Sequence, residues 1–230
     1  MHSWRCKIIQ GAPQNDSYDS FIGGKPKIPA SMEIPCCTLC KERLTFMFQI
    51  AFPKGHFWYG KSLALFFCTS HYHQGYPIPE MPNVEDLFGA DISEEFLKTY
   101  ERNFRILIFE SELGCIRNDY EEKVTFSPLE ICKVDQMDPS ADIMLGGTPI
   151  WIMDIDETPG KIASSEEIGL LFQIREDFTF DKLPDAPPEE TILGTKRTEN
   201  IYTLFAADRV YFWGTIGKTP PAVYVSVQRP

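Results

Sequence analysis

Apolar residues in this chain gather into short dense runs rather than spreading at helical spacing. LTFMFQIAF (44–52) and SLALFFC (62–68) carry aromatic and aliphatic residues at nearly every position, and predict strands buried on both faces. RILIFE (105–110), EKVTFS (122–127), IGLLFQI (168–174), IYTLFAA (201–207), RVYFWG (209–214) and AVYVSVQ (222–228) predict further strands, with a tight hairpin around Ala207-Asp208. One stretch has a different period. ISEEFLKTYERNF (92–104) puts Phe96, Leu97, Tyr100 and Phe104 on one helical face. Ser93 precedes it as an N-cap, and Glu94 and Glu95 fill the first turn, where the helix dipole favours carboxylates.

The segments between these runs are polar or punctuated. Residues 1–20 read as irregular. FIGGKPKIPASMEIP (21–35) has too many Gly and Pro for a helix or a regular strand. YPIPEMP (76–82) reads as an extended loop, and DKLPDAPPEETILG (181–194) as a surface loop too polar for the core. The expectation is a single α+β domain over 1–230, mainly antiparallel β.

A chain of 230 residues, 43% of them hydrophobic, can bury a core without disulfide help. No apolar run approaches the roughly 18 residues of a membrane span, and the start has no signal-like apolar segment. The expected location is therefore cytoplasmic, where thiols stay reduced; an odd count of seven cysteines also argues against a complete disulfide framework. The net charge of −11, without any block of Lys and Arg, argues against nucleic acid and anionic membranes as partners.

Within that composition, CCTLC (36–40) and CTSHYH (68–73) hold six of the eleven cysteines and histidines. Cys37-x-x-Cys40 and Cys68-x-x-His71 have the two-residue gap that lets a tight turn aim both side chains at one tetrahedral ion. The first pair precedes the strand at 44–52 and the second follows the strand at 63–68. In an antiparallel hairpin those two ends are neighbours, as in a zinc ribbon. Four protein ligands make a closed, structural zinc site. A turn at Thr69-Ser70 is needed for His71 to reach it, and a turn one residue later makes His73 the ligand instead. Cys36, adjoining Cys37, is expected to point away as a core thiol, and Cys6, Cys115 and Cys132 read as ordinary core or surface residues. Buried free thiols and a redox Cys-x-x-Cys are the competing readings; the latter usually opens a helix, and this motif precedes a strand.

Other candidates carry less. Asp154, Asp156 and Glu157 in MDIDETP (153–159) could bind a hard cation, but lack the Gly and distant Glu of an EF-hand loop and read better as a solvated turn. Phosphate-loop, nucleophile-elbow and His-Glu-x-x-His patterns are missing from the chain. HFWYGKS (56–62) concentrates aromatics on a hairpin loop, either as binding anchors or as a cap on the sheet.

The two halves also match each other. IGGKP (22–26) precedes LTFMFQI (44–50), and LGGTP (145–149) precedes IGLLFQI (168–174) at nearly equal separation. This predicts two pseudo-repeats, about 20–75 and 143–228. Each has a Gly-Gly turn of positive φ and a strand whose Gln49 or Gln173 is buried and bonded to backbone groups of its own turn.

These motifs resemble the YwqG-like family of bacterial proteins of unknown function. GGTPIWIMDIDETP (146–159) is similar to that family's Trp-Ile-Gln turn, with Met153 in place of the Gln. PCCTLCKERLTFMFQIAFP (35–53) with LALFFC (63–68) resembles the amino-terminal part of the programmed cell death protein 2 family, where cysteine pairs flank the same two strands. The position of His71 is usually cysteine in that family. The resemblance covers most of 20–228 and is weakest over 76–140. It implies an α+β fold of two β-rich repeats and no established enzymatic activity. It also implies a protein-binding role as a chaperone, escort or immunity-type accessory protein, for which the acidic surface suits a basic client. The alternative is a metal-dependent hydrolase using an open Cys/His site or the Asp154/Asp156/Glu157 turn.

Overall fold

A computed structural model describes residues 2–70, 89–153, 156–191, 194–205 and 209–228. The elements of the first half are β1 (Ser3–Ile8), β2 (Phe21–Ile22), β3 (Lys27–Pro29), β4 (Thr45–Ala51), β5 (Lys61–Phe67), β6 (Asp91–Ile92), α1 (Glu94–Tyr100), β7 (Phe104–Glu110) and β8 (Gly114–Ile116). Those of the second are β9 (Ser127–Val134), β10 (Ile143–Gly146), β11 (Lys161–Ile162), β12 (Ile168–Ile174), β13 (Phe178–Asp181), β14 (Ile201–Phe205), β15 (Arg209–Thr215) and β16 (Val223–Gln228). Among the described residues, ten strands make one antiparallel sheet in the order β16-β15-β12-β10-β1-β9-β2-β4-β5-β7. Three two-stranded pairs flank it: β3 with β8, β13 with β14, and β6 with β11, the last parallel. The protein is thus mostly antiparallel β, with a nearly closed large sheet.

The dense apolar runs become strands at close to the expected bounds, and both faces of β4, β5, β12 and β15 are buried. Three expectations change. The irregular start contains β1, which sits at the sheet centre between β9 and β10. Its alternation is short: Trp4 and Cys6 are buried while Arg5 and Lys7 face solvent. The strand expected at 122–127 begins instead at Ser127, because 122–126 leaves the sheet, and Val124 bridges Lys182. The helix ends at Tyr100, so Phe104 opens β7 rather than closing the helical face. Its start is as expected, with the Ser93 hydroxyl accepting from the N–H of Phe96.

The hairpin turn at 207–208 and the loop at 76–82 lie outside the described residues. The strands beside that turn do not pair with each other: β14 joins β13, whereas β15 lies between β12 and β16. The polar segment 181–194 is a loop for most of its length, yet Lys182 and Glu189 within it are buried. The Glu189 carboxylate accepts from the N–H and hydroxyl of Thr203, and Lys182 donates to the carbonyls of Leu183 and Ala186.

The two Gly-Gly turns have positive φ throughout, from 60° to 73°. Space adds a second constraint at Gly23, where a Cβ would come 2.3 Å from the carbonyl oxygen of Thr125. Gln49 is buried; its Oε1 accepts from Lys27 N–H and its Nε2 donates to the Asp19 carbonyl. Gln173 accepts from Ile150 N–H and donates to the Thr148 carbonyl. Gln173 thus binds backbone at the exit of its own Gly-Gly turn, and Gln49 bridges backbone on the two sides of its turn.

The curled sheet brings its two end strands to α1. Tyr100 stacks edge-on against Phe104 of β7, and its hydroxyl donates to the Val225 carbonyl of β16 at 2.5 Å. One residue later, the Glu101 carboxylate accepts from the Ile106 N–H of β7. The helix end therefore occupies backbone groups of both end strands, where an uncovered edge invites association.

Candidate metal centre

Strand alternation decides where Cys68 goes. On β5, Leu63, Leu65 and Phe67 join the main core. Ala64, Phe66 and then Cys68 join a second, smaller core that also holds Phe21, Leu44, Phe46 and Cys37. β4 changes faces at a bulge between Phe46 and Phe48, so Phe46 packs in the smaller core and Phe48 in the larger. The amide of Phe46 at the bulge donates to the buried hydroxyl of Tyr120 at 2.7 Å. Pairing of Thr45 with Phe67 then sets the segment before β4 beside the segment after β5.

The segment before β4 folds into a tight knuckle. Cys36 bridges Arg43, Cys37 N–H donates to the Glu42 carbonyl, and Leu44 N–H donates to the Pro35 carbonyl. Inside it, Lys41 N–H closes onto the Cys37 carbonyl, and Leu39 N–H donates to Cys37 Sγ at 3.4 Å. Lys41 takes a left-handed φ of 69°, which reverses the chain directly after Cys40. Arg102 and Asn103 frame both parts of the site. The Arg102 carbonyl accepts from the N–H and hydroxyl of Thr38, and the Asn103 carbonyl accepts from Cys68 N–H.

The outcome is three thiols brought together. The sulfurs of Cys37, Cys40 and Cys68 all lie within 4.8 Å of one another, with Cys40 and Cys68 at 3.8 Å. Thiolates bound about 2.3 Å from a tetrahedral ion stand roughly 3.8 Å apart, so these cysteines could hold a metal ion. Burial pushes the Cys68 thiol well above its ordinary pKa, and the neighbouring Cys37 and Cys40 thiols push it the same way. A bound cation reverses that balance by stabilising the thiolates. Cys37 and Cys68 are buried and Cys40 is half-exposed, so the cluster opens toward solvent at Cys40.

His71 and His73 lie outside the described residues. Cys36 is exposed rather than a core thiol, because the bridge to Arg43 holds it at the rim of the knuckle. Cys6 is buried, and Cys115 and Cys132 are exposed. In the acidic turn, Asp156 accepts from the N–H and hydroxyl of Thr158, as a solvated turn does, and Asp154 lies outside the described residues. The aromatic loop divides its roles. His56 and Trp58 are buried against the sheet, while Tyr59 is 63% exposed. Tyr120 and the Arg102-Asn103 frame carry no local sequence signal, since each meets the site from more than thirty residues away. Among the described residues no helix is long and apolar enough to cross a membrane. No family model matches the chain, and no curated protein matches it.

Proposed function

We propose that this chain is a non-enzymatic protein-binding module, of chaperone, escort or immunity-accessory type, whose first half is clasped by a structural zinc ion. The observation that carries the zinc reading is the convergence of Cys37, Cys40 and Cys68 from two ends of one hairpin onto one point. His71, or alternatively His73, completes the set. A closed set of this kind leaves no open position for a reacting water.

The α+β, two-repeat description belongs to the same reading. It is supported by paired details. The register Phe21–Gln49 and Ile22–Phe48 matches Met144–Gln173 and Leu145–Phe172. The bulge between Phe46 and Phe48 has its counterpart between Leu170 and Phe172, at the same distance before the buried Gln. In this reading β1 and β9 precede the two repeats and are exchanged, each pairing with the Gly-Gly strand of the repeat that it does not precede. The resemblance to YwqG-like proteins, and of the first half to programmed cell death protein 2, rests on these same segments.

The partner is a protein, and the net charge of −11 favours a basic one, with neither nucleic acid nor membrane as target. A cytoplasmic location goes with free thiols. Elemental analysis of the untagged chain tests the zinc. One zinc per chain is expected, with Cys37→Ser losing the metal and roughly 5–10 °C of melting temperature. Metal-free native protein sinks the clasp. Crosslinking capture from cells should yield basic proteins, and salt added before the crosslinker should abolish the capture; turnover of an ester or phosphoester panel lost with the metal would favour the hydrolase instead.

A further inference from the structure

We infer that Cys40 and Cys68 form a reversible disulfide, so that the cluster is also an oxidative modification site. The inference shares its residues with the metal reading but stands on the thiol geometry alone. Cys40 Sγ and Cys68 Sγ are 3.8 Å apart, and a closure of under 2 Å joins them at disulfide distance. They approach from separate segments, one within the knuckle before β4 and one after β5. The register of the hairpin, rather than a local turn, keeps them facing each other.

The three thiols are not equivalent. Cys40 is the half-exposed one, and so meets an oxidant from solvent first. Cys37 is 1% exposed, and its sulfur accepts from Leu39 N–H and lies against the Arg102 carbonyl. Cys68 is buried at 3.8 Å from Cys40, in place to resolve an oxidised partner before a second molecule can.

With hydrogen peroxide as oxidant, Cys40 sulfur attacks one peroxide oxygen. The S–O bond forms, the O–O bond breaks, and water leaves with the thiol proton, giving the sulfenic acid. Cys68 sulfur then attacks Cys40 sulfur; the S–S bond forms, the S–O bond breaks, and a second water leaves. Two thiols and one peroxide give one disulfide and two waters, with two electrons passed to the peroxide. The disulfide removes two of the three thiolates, so a bound zinc is released in step with it, and a dithiol reductant restores the site.

The test uses the full chain in Cys36→Ser background, stripped of metal by a chelator. It is treated with one equivalent of hydrogen peroxide, alkylated, digested and mapped by mass spectrometry without reduction. The expected result is a mass loss of two hydrogens, a Cys40–Cys68 linked peptide, and alkylated Cys37. Dithiothreitol should reverse the link, and Cys40→Ser should abolish it. A Cys37–Cys40 or Cys37–Cys68 link overturns the inference, as does oxidation confined to the exposed Cys115 and Cys132 with all three cluster thiols still alkylated. In the zinc-loaded chain, zinc released to a chromophoric chelator should match the disulfide one to one. A chain that forms the link but never holds zinc refutes the metal reading alone. A chain that holds zinc but forms no link refutes this one alone.

Discussion

At the scale of single residues, a buried histidine and a half-buried glutamate oppose each other. The His56 ring accepts from Trp58 N–H at Nδ1, which leaves Nε2–H to donate to the Leu171 carbonyl. Burial holds its pKa down at about 4, against a small upward pull from that carbonyl. Below the ordinary histidine pKa of 6.5 the unfolded chain takes up a proton that the folded one refuses, so His56 costs stability as pH falls from 6.5 to 4. Glu101 has the opposite sign. Burial lifts its carboxyl to about 7, and Arg105 and the Ile106 amide offset only part of that rise. Between 4.5 and 7 the folded chain holds the extra proton, so this contribution is lost as pH rises. The two slopes nearly cancel from 4.5 to 6.5. Glu101→Gln should remove one of them, and the variant should gain on the wild type by on the order of 3 kcal/mol between pH 4.5 and 7.5. Urea unfolding at several pH values measures this; parallel curves would refute it.

The buried amides give a second residue-scale expectation. Gln173→Leu strips the Ile150 amide and Thr148 carbonyl of their partner, and Gln49→Leu does the same for Lys27 and Asp19. Each should cost about 1–3 kcal/mol, and the double variant should show the sum, since the sites share no partner. Chemical denaturation of the three variants decides it. Strong non-additivity would mean that the two turns are coupled through the sheet.

At the scale of elements, β4 and β5 place the cysteines, and the bulge lets β4 serve two cores. Removing the Tyr120 hydroxyl by Tyr120→Phe leaves the Phe46 amide without its acceptor inside the smaller core. The expected cost is about 1–3 kcal/mol. Amide exchange should quicken at Phe46 and at the knuckle amides of Cys37 and Leu44, while β15 and β16 keep their protection. Unchanged exchange at the knuckle would show that the bulge does not support the site. The second half has a related tie without cysteine. Lys218 follows β15 and donates both to the Ala163 carbonyl, in the turn before β12, and to Glu94 at the start of α1. An ammonium there joins the strand ends that three thiols join in the first half.

At the scale of the whole molecule, the sheet nearly closes, and α1 stands where its ends approach. Tyr100→Phe removes the hydrogen bond to Val225 but keeps the ring packing against Phe104 and Tyr224. It should cost about 1 kcal/mol and raise amide exchange in β7 and β16 together, with the central strands unaffected. A change confined to β16 would show that the helix holds each end strand separately.

Much of this was legible in the sequence, and the division has a physical basis. Dense apolar runs specify strands buried on both faces because no other short element hides every side chain, and β4, β5, β12, β15 and β16 lie where those runs predict. Gly-Gly followed by Pro specifies positive-φ turns because only glycine tolerates them without strain. Cys-x-x-Cys before one strand and a cysteine after the next specify a meeting of thiols, because an antiparallel hairpin leaves those ends adjacent. What the sequence left open is long-range. β1 is a central strand only because β9 and β10 bond it on both sides, and its own six residues are too mixed to announce that. Arg102 and Asn103 shape the cysteine site through backbone carbonyls that any residue type could have supplied, and Tyr120 through a side-chain hydroxyl that reaches Phe46 from 74 residues away. Tertiary packing decided the Phe46 bulge and the exposure of Cys36, because face and burial depend on what arrives from elsewhere in the chain.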